Sequence, residues 1–207
     1  MKLVVIADAE MQKEFESKGI AEGIEVHFET SVQNVNLPAD AYFYLLSESS
    51  LPADLMWITE AKAPVFVNAV VTTLNNLPKH AIRINAWPGF IQRPLVEICA
   101  SEENKKASTG ILNAMNWNFK LVPDVQGFIA GRVISMIINE AYFALGDDVS
   151  TKENIDVAMR LGTNYPLGPF EWGVKVGLEN IYYLLKSLSE TDIRYSPAPL
   201  LTKETSL

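Results

Sequence analysis

Hydrophobic and polar positions divide this chain into two textures. Residues 2–7 (KLVVIA) form a continuous apolar run, the kind that suits a strand buried on both faces of a parallel sheet. Residues 9–18 are polar with helical propensity, and Gly19 is placed to end that helix. Residues 24–29 (IEVHFE) alternate and read as a second strand, and residues 40–46 and 64–68 as two more. Pro78 precedes a fifth strand over 81–85, residues 102–115 read as a helix, and 119–122 as a short strand. Strands alternating with helices predict a parallel α/β domain over residues 1–122.

The texture changes at Pro123. Residues 127–145 (GFIAGRVISMIINEAYFAL) are apolar on nearly every face, which predicts a helix buried on most sides and ended by Gly146. Ser150 and Glu153 match an S-x-x-E capping box opening a helix through about Leu161. The Gly- and Pro-rich segment 161–173 reads as turn or short helix, 177–188 as a final amphipathic helix, and 201–207 as a frayed tail. Residues 123–207 therefore form an all-helical domain, with no internal repeat.

Composition narrows the function classes. The chain has 207 residues, 48% of them hydrophobic and 20% charged, a composition that folds. Its net charge of −8 and the lack of a basic stripe argue against nucleic acid as a partner. No run of 18 apolar residues exists, so no membrane span is expected, and the apolar run at Leu3–Ala7 is too short for a signal-peptide core. A cytoplasmic location follows as the default. One cysteine, Cys99, and two distant histidines, His27 and His80, leave no zinc-ligand pattern.

The C-terminal half carries a specific pattern. It contains Asp124, Gly127-Phe128-Ile129 and Arg132, then Asn139-Glu140-Ala141, then Tyr165-Pro166-Leu167-Gly168-Pro169-Phe170-Glu171, with Gly177-Leu178 following. These runs resemble the helical C-terminal domain of 3-hydroxyacyl-CoA dehydrogenases, the 3-hydroxybutyryl-CoA dehydrogenases included. The resemblance implies an N-terminal Rossmann-like NAD-binding domain, in agreement with the α/β reading, and residues 94–97 (PLVE) match one of its strands. It weakens towards the N-terminus, where the chain reads as shortened and degenerate.

The resemblance also says which positions should carry chemistry. The dinucleotide fingerprint Gly-x-Gly-x-x-Gly needs glycines for a tight turn and for close approach to the pyrophosphate. Here the three positions hold Ala7, Ala9 and Gln12, and Asp8 and Glu10 place negative charge where a diphosphate would lie. Glu29 stands where the family has a ribose-binding acid, and reads either as that or as a solvated strand-end carboxylate. Aligned on PLVE, Glu97 takes the place of the family's orienting Glu, and Asn85 that of its catalytic His. An Asn amide takes up no proton near neutral pH, and losing a general base costs about 10²–10⁴ in rate. His80, five residues earlier, reads as a surface histidine.

Two further family positions lose hydrogen-bonding groups: a substrate-binding Asn becomes Gly131, and a Ser becomes Val70. About ten residues between Glu29 and Asp40 leave no room for the family's helical hairpin that helps hold CoA. Fold determinants are kept while chemical ones are exchanged. The expectation is an inactive family member acting as a binding or structural protein. It is a homodimer through the C-terminal helices, as the resemblance implies, with an acyl-CoA or another small ligand possible. No cofactor is expected, NAD being implied only if the family activity survives. The alternatives are an active NAD-dependent dehydrogenase and a different activity in the old cleft.

Overall fold

The structure is a computed structural model describing residues 1–205. It divides into two compact units, Met1–Phe128 and a second from Ile129 onward.

In the first unit, seven strands form one sheet: β1 Lys2–Ile6, β2 Glu25–Glu29, β3 Ala41–Tyr44, β4 Val65–Asn68, β5 Ala81–Ile84, β6 Leu95–Cys99 and β7 Asn118–Leu121. Their order is β2-β1-β3-β4-β5-β6-β7. The pairs from β2 to β5 are parallel, as the buried apolar runs predict. The sheet is parallel apart from one pair: β6 runs antiparallel to β5, with β7 parallel to β6. The physical reason is the connection: residues 85–94 hold turns and no helix, too little chain for a parallel crossover.

Three helices cover the sheet: α1 Ala9–Ser17, α2 Leu51–Glu60 and α3 Glu102–Ala114. Met11 and Phe15 of α1 and Leu112 of α3 pack with Leu3, Val5, Phe43, Phe66, Ile82 and Ile98 on one face. Leu51 and Ile58 of α2 pack with Val4, Ile6, Tyr42, Tyr44, Val65 and Val67 on the other. Alternate residues of β1 and β3 thus serve opposite cores, which is why both strands read as unbroken apolar runs. The β2–β3 connection holds only a 3-10 turn, Val32–Asn34, consistent with the short spacing. It carries the chain from one side of β1 to the other, which makes the carboxyl end of β1 and β3 a topological switch point.

The second unit holds α4 Ala130–Gly146, α5 Lys152–Thr163, α6 Pro169–Val176, α7 Leu178–Ser189 and α8 Pro199–Glu204. Four expectations change here. First, α4 begins at Ala130, because Gly127 and Phe128 take positive φ of 82° and 51°. Second, α4 is two-faced: Ile134, Ile138, Ala141 and Tyr142 are buried, while Ile129 just before it, Val133 and Phe143 are exposed. Third, α5 is capped by Thr151, whose hydroxyl accepts from the Asn154 amide at 3.3 Å, so the cap sits one residue past Ser150. Fourth, the tail through Glu204 is α8, anchored by the fully buried Leu201 and by the Ala198 amide donating to Asn139 Oδ1 at 2.8 Å.

Candidate functional site

The switch point is built by the turns that follow the strands. After β1, Ala7 is buried and its amide donates to the Glu29 carbonyl at 2.9 Å. Asp8 caps α1, and its Oδ1 accepts from the amides of Glu10 at 3.0 Å and Met11 at 2.9 Å. The Gln12 amide goes to the Asp8 carbonyl at 2.9 Å, and the Gln12 side chain donates to the Ala7 carbonyl at 3.0 Å. Residues 7–12 thus close on themselves, with Ala9 opening the helix and Glu29 half-buried at the end of β2.

The turn after β4 repeats the pattern on a larger scale. Amides of Val70, Val71 and Thr72 converge on the Glu48 carboxylate, at 2.9 Å, 3.0 Å and 2.5 Å for the shortest contact of each. Successive backbone amides of this kind form an anion-binding nest, and here a side chain of the same chain fills it. Glu14 of α1 similarly accepts from the Gly89 amide at 2.7 Å and 2.8 Å.

At the end of β5, Asn85 and Glu97 come together. Asn85 Nδ2 donates to Glu97 Oε2 at 3.0 Å, the Asn85 amide donates to the Glu97 carbonyl at 3.0 Å, and both side chains are buried. Glu97 lies on an interior strand, between β5 and β7. Asn85 Oδ1 is buried without a hydrogen-bond donor. His80 sits at the opposite end of β5. Instead of a free surface group it is half-buried, its Nε2 at 2.5 Å from the Ile58 carbonyl at the end of α2. Gly131 occupies the first turn of α4, buried and without a polar side chain.

One cluster was invisible in the sequence reading. Arg83, fully buried in β5, donates from Nε to the Ala69 carbonyl at 2.9 Å and from Nη2 to the Val70 carbonyl at 3.0 Å. Its Nη1 donates to Asp124 Oδ1 at 2.5 Å and to the Val125 carbonyl at 3.2 Å, and the guanidinium lies 4.6 Å from the Phe128 ring centre. Asp124 also accepts from the Leu74 amide at 3.0 Å. Cys99 Sγ lies 3.8 Å from the same carboxylate, and burial followed by the Asp124 charge pushes its thiol pKa up. The one available signal was a lone Arg inside the apolar strand AIRI. Nothing in the sequence announced Glu48.

In the helical unit, the residues of the Tyr-Pro-x-Gly-Pro-Phe-Glu run make structural contacts. Asp156 Oδ1 accepts from the Phe170 amide at 2.8 Å, at the start of α6. Glu171 accepts from the Gly168 amide at 2.8 Å and pairs with Arg160 of α5. Among the described residues no group of three His, Cys, Asp or Glu side chains could hold a metal, and no helix is long and apolar enough to cross a membrane.

Known proteins place this architecture. The family model for the 3-hydroxyacyl-CoA dehydrogenase C-terminal domain matches residues 127–206. A 3-hydroxyadipyl-CoA dehydrogenase of Escherichia coli K12 is 42% identical over 88 residues, which is 42% of this chain and 18% of that one. A 3-hydroxybutyryl-CoA dehydrogenase of Clostridioides difficile is 27% identical over 186 residues, covering 87% of this chain and 65% of the relative. The chain therefore spans less than two thirds of the length of either. In fold it is similar to the crystal structure of (S)-3-hydroxybutyryl-CoA dehydrogenase from Ralstonia eutropha, with a TM-score of 0.73 and 17% identity over 98% of this chain and 92% of that one. Residues 127–206 thus match the C-terminal domain of the 3-hydroxyacyl-CoA dehydrogenase family, and the chain as a whole is similar to members of that family in sequence and in fold.

Proposed function

We propose that this family member has lost NAD-dependent dehydrogenase activity and works as a binding dimer. The observation that carries this reading is Asp8. A dinucleotide needs the free amides at the start of the first helix to meet its pyrophosphate. Here the Glu10 and Met11 amides are already given to the Asp8 carboxylate. A diphosphate would have to displace an anion from its own donors and then lie beside it. The residues present do not fit NAD.

The Asn85–Glu97 pair supports the same conclusion. Its spacing suits a hydrogen-bonded dyad, but an amide cannot accept the proton that leaves a hydroxyl when hydride is removed. The apolar residues Ile129, Val133 and Phe143, exposed along one stripe at α4, suit an isologous contact between two copies. The protein acts in the cytoplasm, on this reading.

Titrating the protein with NADH by calorimetry and assaying acetoacetyl-CoA reduction test the proposal together. No saturation and no turnover are expected. A dissociation constant tighter than about 100 μM would overturn the reading of the β1–α1 turn, and turnover would overturn the loss of activity. Light scattering checks the dimer: particles of twice 23.0 kDa are expected, and a monomer refutes it.

A further inference from the structure

The switch point lies at the carboxyl ends of the parallel strands, and a second concavity lies at their amino ends. Met1, Asp40 and Pro64 stand immediately before β1, β3 and β4, three neighbours in the sheet, and line one side of a cavity of about 570 Å³. The other side is α3. Glu103, Lys106, Ala107, Gly110 and Ile111 line it, at the i, i+3, i+4, i+7, i+8 spacing of a single helix face. The volume falls in the range of small-molecule sites, about 300–1,000 Å³.

The hollow has a cause in the sequence. Ala107 and Gly110 put the smallest groups on successive turns, and a Cβ on Gly110 would meet nothing within 4 Å. Met1 and Ile111 pack against the hydrophobic core behind them, so the floor is apolar.

Charge is confined to three side chains, and among the described residues none is neutralised by another. Lys105 pairs with Glu102, yet Glu103 and Lys106, at the same spacing one residue on, form no ion pair. Asp40 takes the Lys2 amide on Oδ2 at 2.7 Å and forms no ion pair either. The Met1 amine is turned to the Gly23 carbonyl at 3.1 Å. Carboxylates only accept and an ammonium only donates, so the two acids call for a cationic donor and Lys106 for an anionic acceptor. Over an apolar floor, that combination describes a zwitterion with an apolar body.

We infer that this cavity is a binding site for a free α-amino acid with a large apolar side chain. Asp40 and Glu103 take its ammonium, Lys106 takes its carboxylate, and its side chain lies along Ala107 and Gly110 against Ile111. The site is separate from the switch point and stands whether or not dehydrogenase activity is lost.

Titrating the full chain with L-phenylalanine, followed by two-dimensional amide NMR, tests the inference. Saturable shifts centred on Asp40, Ala107 and Gly110 are expected, with a dissociation constant of about 5 mM or tighter, as suits a ligand of this size. N-acetyl-L-phenylalanine lacks the ammonium and L-phenylalaninamide lacks the carboxylate. Each should bind about tenfold more weakly, the effect of one lost charge-assisted contact. Lys106→Ala should bring phenylalanine to the level of its amide. Gly110→Leu should abolish the shifts at Asp40 and keep the fold, because its side chain grows into open space and favours the helix. No saturation in that range, equal binding of the three compounds, shifts centred elsewhere, or phenylalanine binding that survives Gly110→Leu would each overturn the inference.

Discussion

The helical unit and the sheet unit hold their family-type residues for different reasons. In the helical unit the matching residues are parts of the scaffold: Gly168 admits Asp156, Glu171 ties α6 to α5, and Asn139 receives the Ala198 amide and donates to the Ser196 carbonyl. In the sheet unit the positions to which the resemblance would assign chemistry, Ala7, Asp8, Ala9 and Asn85, lie where strands end and α1 begins, and the hydrogen bonds described there are made within the chain itself. The sheet is held by groups that belong to no motif, among them Arg83, Glu48 and Glu14. A packing residue is answered by a neighbour within the fold, whereas a phosphate-binding turn is answered only by its ligand.

Arg83 offers the strongest test of the idea that the sheet unit rests on residues outside any motif. Arg83→Met removes the donors of the Ala69, Val70 and Val125 carbonyls and leaves Asp124 facing no cation. Removing one partner of a buried pair is costly, and with Asp124 partly exposed the expected loss is about 3 kcal/mol in chemical denaturation. Replacing Ala7 or Ala9 by Gly should cost about 1 kcal/mol or less by comparison. An Arg83→Met protein as stable as the wild type would mean the family-type turns, not this cluster, hold the unit.

Gly168 probes the other half of the comparison. A Cβ there would lie 2.3 Å from Asp156 Oδ1 and 2.4 Å from its Cβ. Asp156 is short-stemmed, buried and engaged with the Phe170 amide, so it cannot give way without uncapping α6. Gly168→Ala should cost about 2 kcal/mol, from crowding plus a lost cap, and hydrogen exchange should speed up over α5 and α6. Unchanged exchange there would show that this glycine has no packing role.

These contacts explain what could be read in the sequence. Strands β1, β3 and β4 were legible because a strand buried on both faces is apolar at every position. Alignment on PLVE singled out positions 85 and 97, but not the hydrogen bond between Asn85 and Glu97. Helix α2 was missed although Pro52 stands in its first turn, where proline is at home. The α8 anchor was missed because Asn139 and Ala198 are 59 residues apart. Arg83 and Glu48 stayed hidden for the same reason: each bonds segments that only the folded sheet brings together, and periodicity carries no information about such partners. The exposed side of α4 was misread because an apolar count does not say which face is covered.

The smallest expected effect concerns acid. Glu171 pairs with Arg160 and accepts from the Gly168 amide, and these two partners hold its carboxyl pKa below the usual carboxylate range. A pKa depressed in the folded state contributes stability that is complete above the unfolded value of about 4.3 and is lost as pH falls through the folded value. The pair is well exposed, so the effect should be slight and weakened by salt. Thermal unfolding followed from pH 7 down to about pH 3 should therefore fall more steeply for the wild type than for Glu171→Gln, which keeps an acceptor for the Gly168 amide but has no charge to lose. Parallel slopes would mean that the ion pair adds nothing and that Glu171 serves as a cap alone. Convergence of the two proteins in acid would instead place both roles in one side chain, a residue of the family pattern kept for the helical corner it holds.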